Sequence, residues 1–335
     1  MQTRILITGG GGMIGQRVAR ALLERGGIRD APQAPPQLSE LTLFDQAFPT
    51  GRIEDARVQY VAGDMLDRER LARIGAPGID AVFHFASVVS AGAEADFDLG
   101  MRVNVDGMRN LLELCRTQTV PPRLVFTSSV AAFGGEVPGI VLDTTAPTPQ
   151  SSYGTQKVIG ELLVSDYTRK GFIDGRSLRL PTIVIRPGKP NRAASGFMSS
   201  ILREPLNGES AVCPVPAETE MWIASPARAV DMLIHAMELP ADAWGWNRTL
   251  NAPGITVSVA EALAALERAA GREAVRLVRS EPDAAIAELV LSWPVRFATE
   301  RADTLGFTCD ADIEAIVREH LRERAESERW EGNRT

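Results

Sequence analysis

Cysteine, histidine, tyrosine and lysine each occur only three times in these 335 residues. Each scarcity excludes something. Cys115, Cys213 and Cys309 stand far apart without CxxC spacing, so neither a disulfide framework nor a zinc site is expected and a reducing compartment fits. Each is expected to serve as a small apolar residue. His84, His235 and His320 are too scattered for a metal cluster or a Ser/His pair, and no metal is expected. No apolar run exceeds strand length, which argues against a membrane span. The opening MQTRILITGG enters a strand and a glycine loop without the long apolar region of a signal peptide, so a cytoplasmic location is expected. Positive charge is also in deficit. The balance of 36 basic against 43 acidic residues gives −7, and no basic block offers a surface to nucleic acid or anionic membrane.

What is present is enough for a full core, in one large or two modest domains. RILIT (4–8), LTLF (41–44), VQYVAG (58–63), AVFHFA (81–86) and RLVFTSS (123–129) read as strands. Helical patterns separate them, in QRVARALLERG and near 67–74, 101–118 and 151–171. Strand and helix in alternation predict βαβ units and a doubly wound parallel sheet covered on both faces. The Pro/Gln-rich IRDAPQAPPQLS (28–39) reads as a surface insertion, and SLRLPTIVIRPG (177–188) as one further strand and its exit. After residue 188 the pattern changes, with a helix at 257–271, a strand at 275–281 and a helix near 310–326. The expected organisation is an α/β Rossmann domain over 1–188, with later elements near 210–255 returning to it. A smaller α/β region over 189–330 is expected to be mainly substrate-binding.

TGGGGMIG (8–15) follows a strand and opens a helix, the setting of a dinucleotide loop. Gly9 would permit the tight turn, Gly12 the approach of backbone to pyrophosphate, and Gly15 close helix–strand packing. The positive end of the following helix favours phosphate. Asp45 ends the second strand and would accept from the adenosine ribose, favouring NAD over NADP. It stands 30 residues after Gly15 (45 − 15) instead of about 20, and the Pro-rich insertion accounts for the excess. Read from the residues alone, Asp45 could also be a turn aspartate, and Arg52 is near enough to leave some NADP tolerance. Asp64, in GDMLD with Met65, suits the adenine edge or caps the next helix.

In SSYGTQK (151–157), Lys157 follows Tyr153 by one helical turn, so phenol and ammonium share a face. A phenol titrates near 10, and a neighbouring cation lowers that value toward general-base use. Ser129 sits at the carboxyl end of a strand, where ligands of parallel sheets bind.

Together with HFAS (84–87), Asn104 in RVNVDGMRNLL and FTSSVAAFGG, these motifs run in the order found in extended short-chain dehydrogenases/reductases, and the chain resembles that family over roughly residues 3–190. The resemblance implies a seven-stranded sheet, a bound NAD and a catalytic set of Ser129, Tyr153 and Lys157. Tyr153 would be the acid/base, Lys157 its cationic and ribose-holding partner, and Ser129 the partner of the substrate hydroxyl. Asn104 would support a relay water or a helix bend, or be a plain polar helix residue. The resemblance also implies main-chain contacts to pyrophosphate from Met13 and Ile14. Phe85, Ala86 and Ser87 would line the cofactor, and Leu180 and Pro181 would border the nicotinamide. Ser87 stands where glycine or alanine is common, and Phe133 where many members carry tyrosine.

The segment LRLPTIVIRPGKPN and its continuation to residue 216 is similar to the D-erythronate dehydrogenase subgroup, which oxidises the C2 hydroxyl of a four-carbon sugar acid. A small polyhydroxy acid needs a fixed cation for its carboxylate, and arginine offers a fork. Arg186, Lys189 and Arg192 are candidates, Arg186 first, with Ser87, Ser129, Tyr153 and Thr182 as further substrate contacts. Alternatives on the same fold are a nucleotide-sugar epimerase or dehydratase that retains NAD, and a non-catalytic NAD-binding protein. The resemblance implies a homodimer paired through the helices near 101–118 and 151–171, whose apolar stripes include Val158, Ile159, Leu162 and Leu163, and a homodimer is expected, with burial against the sheet accounting for part of the stripe.

Overall fold

The computed structural model describes residues 3–31, 33–188 and 194–332, with side chains to 326. In the first half its strands are β1 (Arg4–Thr8), β2 (Glu40–Asp45), β3 (Val58–Ala62), β4 (Ala81–His84), β5 (Arg123–Ser129), β6 (Asp174–Leu180) and β7 (Thr182–Ile183). They are followed by β8 (Ala211–Cys213), β9 (Glu220–Ala224), β10 (Thr249–Asn251), β11 (Ile255–Ser258) and β12 (Val278–Ser280). Seven of them form one sheet in the order β10-β6-β5-β4-β1-β2-β3. Every pairing in it is parallel.

The helices that matter to the site are α1 (Met13–Arg25), α2 (Arg68–Gly75), α3 (Ser90–Ala95), α4 (Phe97–Gly100), α5 (Gly107–Arg116), α6 (Ser152–Arg169), α7 (Gly196–Leu206) and α8 (Pro226–Glu238). Alternate side chains of each interior strand enter opposite cores, as the period of two requires. Ile5, Ile7, Leu41, Leu43, Phe83 and Val125 pack with Val18 and Leu22 of α1 and Leu233 of α8. Leu6, Phe44, Val82, Leu124 and Phe126 pack on the other face with Leu71, Leu111, Leu112 and Val164. Both faces are therefore covered, which is why these strands read as unbroken apolar runs. A separate core joins α7 to the helices Val259–Ala270 and Ile313–Gly332.

Several expectations need adjustment. The run 177–188 is two strands, because Pro181 has no N–H to continue a ladder. β6 stays in the large sheet, while β7 pairs with β9 in a three-stranded sheet. The expected strand 275–281 shrinks to β12, since Arg272–Arg276 is a helix. The helix expected from 101 begins as a π-helix over Met101–Asp106 before α5. In the 28–39 insertion, Ile28 is buried and bridges Gln37, so the insertion is anchored at its base. Cys115 and Cys213 are buried, but Cys309 is exposed and so is no apolar core residue.

The sheet's edge strand β10 and the helix α8 both come from beyond residue 188, and Leu250 and Leu233 join the same core as β1. No helix of the described residues is long and apolar enough to cross a membrane.

Candidate active site

The carboxyl ends of the strands open into a cleft of about 500 Å³. Sheet order distributes its walls. Asp45 from β2 and Asp64 and Met65 after β3 lie toward one side. The β1–α1 loop and Phe85, Ala86 and Ser87 after β4 lie in the middle, and Ser129, Leu180, Pro181 and Thr182 lie toward β6. Tyr153 of α6 and Arg186 line the same cleft. Of the described residues singled out from the sequence for catalysis, cofactor or substrate, only Asn104 and Lys157 do not line it. Both stand behind its wall. Lys189 and Arg192 fall outside the described residues.

The glycine loop shows why Gly9 and Gly15 exclude larger residues and why Gly12 leaves space. Gly9 has φ +72°, and a Cβ there would meet Ala86 N at 2.6 Å. A Cβ on Gly15 would meet the Gly9 carbonyl oxygen at 2.3 Å. Around Gly12 the only near atom is that same oxygen, at 3.3 Å, so its open side faces the cleft. The start of α1 has no side-chain cap, which leaves the first-turn N–H groups of Met13 and Ile14 for a ligand. This is a cradle suited to pyrophosphate. Asp45 accepts the Gly11 N–H at 2.9 Å and the Gln46 N–H at 2.7 Å, one on each carboxylate oxygen, so it is fixed while each oxygen keeps a lone pair. Arg52 turns away to the Tyr60 ring, 5.0 Å from its centroid. Asp64 takes the Leu66 N–H within its own turn, whereas the cap of α2 is Asp67.

Helix α6 begins at Ser151, whose hydroxyl accepts the Gly154 N–H at 3.1 Å. That cap sets Tyr153 in the first turn, at the cleft. Lys157, 3% exposed, donates to the Thr127 carbonyl at 2.8 Å and lies 5.4 Å from the Tyr153 ring centroid. Burial pulls its ammonium down to about 7, and Glu161 opposes that fall. Burial pushes the Tyr153 phenol up to about 12, while the Arg186 cation and a hydrogen bond with Ser129 pull it down. The Arg186 guanidinium is held rigidly. Its Nε donates to the Ile183 carbonyl at 2.9 Å and its Nη2 to Ser195 Oγ at 2.9 Å. Burial lowers its own pKa, with Tyr153 acting the other way. His84 lies beneath the site, its Nδ1 2.6 Å from Thr8 Oγ1, and burial drives it down to about 3, so it is neutral.

Asn104 sits in the π-helix with its hydrogen-bonding capacity filled. Its Oδ1 accepts Val88 N–H at 2.8 Å and Ser87 Oγ at 3.1 Å. Its Nδ2 donates to the Val88 carbonyl at 3.0 Å and to Gln156 Oε1 at 2.6 Å. The carboxamide therefore ties the Ser87–Val88 wall to α6, next to Lys157.

Sequence reading missed Ser90, Ser195 and Trp293, which line the cleft, and Arg203, whose Nη1 donates to the Arg186 carbonyl. Nothing local in the sequence marks Trp293, which arrives from the far end of the chain. Glu161 was also missed, although an acid one turn beyond Lys157 was a readable signal.

With this geometry in hand, comparison with known proteins decides the family. The model of the NAD dependent epimerase/dehydratase family matches residues 5–224. The chain belongs to that family. A D-erythronate dehydrogenase of Cupriavidus necator is 50% identical over 319 residues, spanning 95% of this chain and 98% of that protein. A D-erythronate dehydrogenase of Haemophilus influenzae is 42% identical over 318 residues, spanning 95% and 98%. The crystal structure of a nucleoside-diphosphate-sugar epimerase from Agrobacterium tumefaciens matches with a TM-score of 0.90 at 41% identity, covering 97% of this chain and 95% of that one. Membership agrees with the cradle around Gly12 and makes NAD the cofactor of the cleft.

The Asn104 network gives a direct prediction. Asn104→Leu leaves Val88 N–H and Gln156 Oε1 unpaired, at about 1–3 kcal/mol for each buried group, while the Val88 carbonyl keeps the Ser87 hydroxyl at 3.1 Å. Urea denaturation should register a loss of at least about 2 kcal/mol, and an unchanged midpoint would show the network to be dispensable.

Proposed function

We propose that the protein oxidises the C2 hydroxyl of D-erythronate or a closely related aldonate to the 2-keto acid, with NAD as acceptor. One observation carries this reading. An acid/base phenol, a serine hydroxyl and a rigid, half-buried guanidinium converge in the cleft that also holds the glycine cradle. The two D-erythronate dehydrogenases, alike over nearly the whole chain, support the substrate.

Bound NAD supplies the hydride acceptor. Gly12, Met13 and Ile14 hold its pyrophosphate, Asp45 its adenosine ribose, and Asp64 and Met65 the adenine side. Phe85, Ala86, Ser87, Leu180 and Pro181 form the walls toward the nicotinamide. Arg186 fixes the substrate carboxylate, with Ser87 and Thr182 beside it, and so orients C2. Ser129 holds the C2 hydroxyl, and Tyr153 as phenolate takes its proton while the C2 hydrogen leaves as hydride. Lys157 supports the phenolate from behind the wall, and Asn104 holds the wall itself. Residues 1–188, with β10 and α8 returning to the sheet, serve the cofactor. Residues 189–330 serve mainly the substrate.

Because burial holds the phenol high, at about 12, turnover should rise with pH, and because burial brings the Lys157 ammonium down to about 7 the rise should flatten above roughly that pH as the cation is lost. Tyr153→Phe should cost about 100- to 10,000-fold in kcat. NADH formation at 340 nm with a panel of four- to six-carbon aldonates measures both. Wild-type turnover in the variant would end the phenol's role, and no NADH from any aldonate would favour an epimerase with retained cofactor. Arg186→Ala should raise KM for the acid on the order of 100-fold. An unchanged KM would remove Arg186 from the substrate.

The protein is further proposed to be a cytoplasmic homodimer. Leu162 on α6 is 65% exposed and Phe97 on α4 is 59% exposed, while Leu163 is already packed on the sheet. Light scattering should give twice the chain mass, and a monomer at micromolar concentration would rule the dimer out.

A further inference from the structure

The face of α6 that carries Tyr153 and Lys157 continues. Four residues beyond Lys157 stands Glu161, which is 4% exposed. Three residues spaced by four lie on one helix face, about 6 Å apart along the axis. They present a phenol, an ammonium and a carboxylate in turn. The carboxylate is anchored on two strands at once. Ser128 of β5 donates its hydroxyl to Oε1. Arg179 of β6 donates Nε to Oε1 at 2.9 Å and Nη2 to Oε2 at 2.7 Å. Arg179 is itself clamped, its Nη1 on Asn251 Oδ1 at 3.3 Å and its guanidinium 4.6 Å from the Phe133 ring centroid.

Ser128 lies between Thr127, whose carbonyl takes the Lys157 ammonium, and Ser129, the cleft hydroxyl. We propose that Glu161 is a positioning residue of the catalytic set: anchored by Arg179 and Ser128, its carboxylate keeps Lys157 a cation and locks the helix of Tyr153 and Lys157 to the strand of Ser129. The inference rests on the dehydrogenase reading for its consequence in turnover, but not for the charge of Lys157.

The charged and titratable groups facing Lys157 leave Glu161 as its anion. On α6 itself they are Tyr153 and Glu161. From β4 comes His84, buried and neutral, which feels the Lys157 charge. From β5 come only the Thr127 carbonyl and the serine hydroxyls, and from β6 comes Arg179, a cation spent on Glu161. Arg186 faces Tyr153 from the cleft side. Burial brings the ammonium down to about 7, where the loss of one neighbouring anion decides its state at neutral pH.

The chain's three lysines make a direct test practical. Protein labelled with 13Cε-lysine is titrated by NMR, and the Lys157 signal is assigned by its loss in Lys157→Arg. In Glu161→Gln, which keeps an amide oxygen for Ser128 and Arg179, the Lys157 midpoint should fall by about one pH unit or more. Because a lone buried Arg179 could unfold the single variant, Glu161→Gln/Arg179→Met is measured beside it, and its midpoint should fall in the same direction. A midpoint unmoved in a folded variant overturns the proposal, including where turnover drops, since that drop would then be structural. A lowered midpoint with kcat reduced tenfold or more supports it fully. A lowered midpoint with wild-type kcat supports the electrostatic role of Glu161 and instead defeats the catalytic reading of Lys157.

Discussion

A single ammonium on the inside of the protein organises the site. Lys157 is almost wholly removed from water, and a buried cation without partners is expensive. The fold answers with the Thr127 carbonyl at the end of β5 and with two aromatic rings, Phe126 at 4.9 Å and Tyr153 at 5.4 Å. Those contacts help dock α6 on the sheet, beside Val164 in the core and Glu161 on Ser128 and Arg179. The last three residues of β5 divide the work by their alternation. Thr127 gives its carbonyl to the lysine, buried Ser128 gives its hydroxyl to Glu161, and Ser129 faces the cleft. A slip of one residue in the β5 register would exchange the buried and the open serine.

The wall beside the lysine is held in a comparable way. Asn104 stands where a helix-bound water relay could be imagined, yet all four of its hydrogen-bonding positions are taken by Val88, Ser87 and Gln156. The π-helix that presents it widens the turn so that the carboxamide reaches both the β4 exit and α6. Its role in this chain is to fix two elements at a set distance. Gly100 keeps that passage open, since a Cβ there would meet Gln156 Nε2 at 2.6 Å.

Much of this was legible in the residues because it follows from local rules. Buried parallel strands leave continuous apolar runs, as in RILIT and AVFH, and the glycine loop is marked by its own spacing. Tyr153 and Lys157 are legible because helical periodicity makes four residues one turn. What escaped depends on pairing between distant segments. Pro181 interrupts a run of residues that hydropathy cannot divide, and only the partner strand β9 makes β7 a separate strand. Trp293 and Ser195 reach the cleft by tertiary folding alone. The anchoring of Glu161 needs Arg179 and Ser128, neither of which its own helix foretells.

Pro181 has a mechanical meaning as well. Leu180 before it ends a strand of the nucleotide sheet, and Thr182 after it begins a strand of the other sheet, so one stiff imide corner joins the two walls of the cleft. A second junction lies between Asn251 of β10 in the large sheet and Ile255 of β11 in the three-stranded sheet. Arg186 stands five residues beyond the proline on the second sheet's side, so the angle between the sheets sets its position against the phenol it faces.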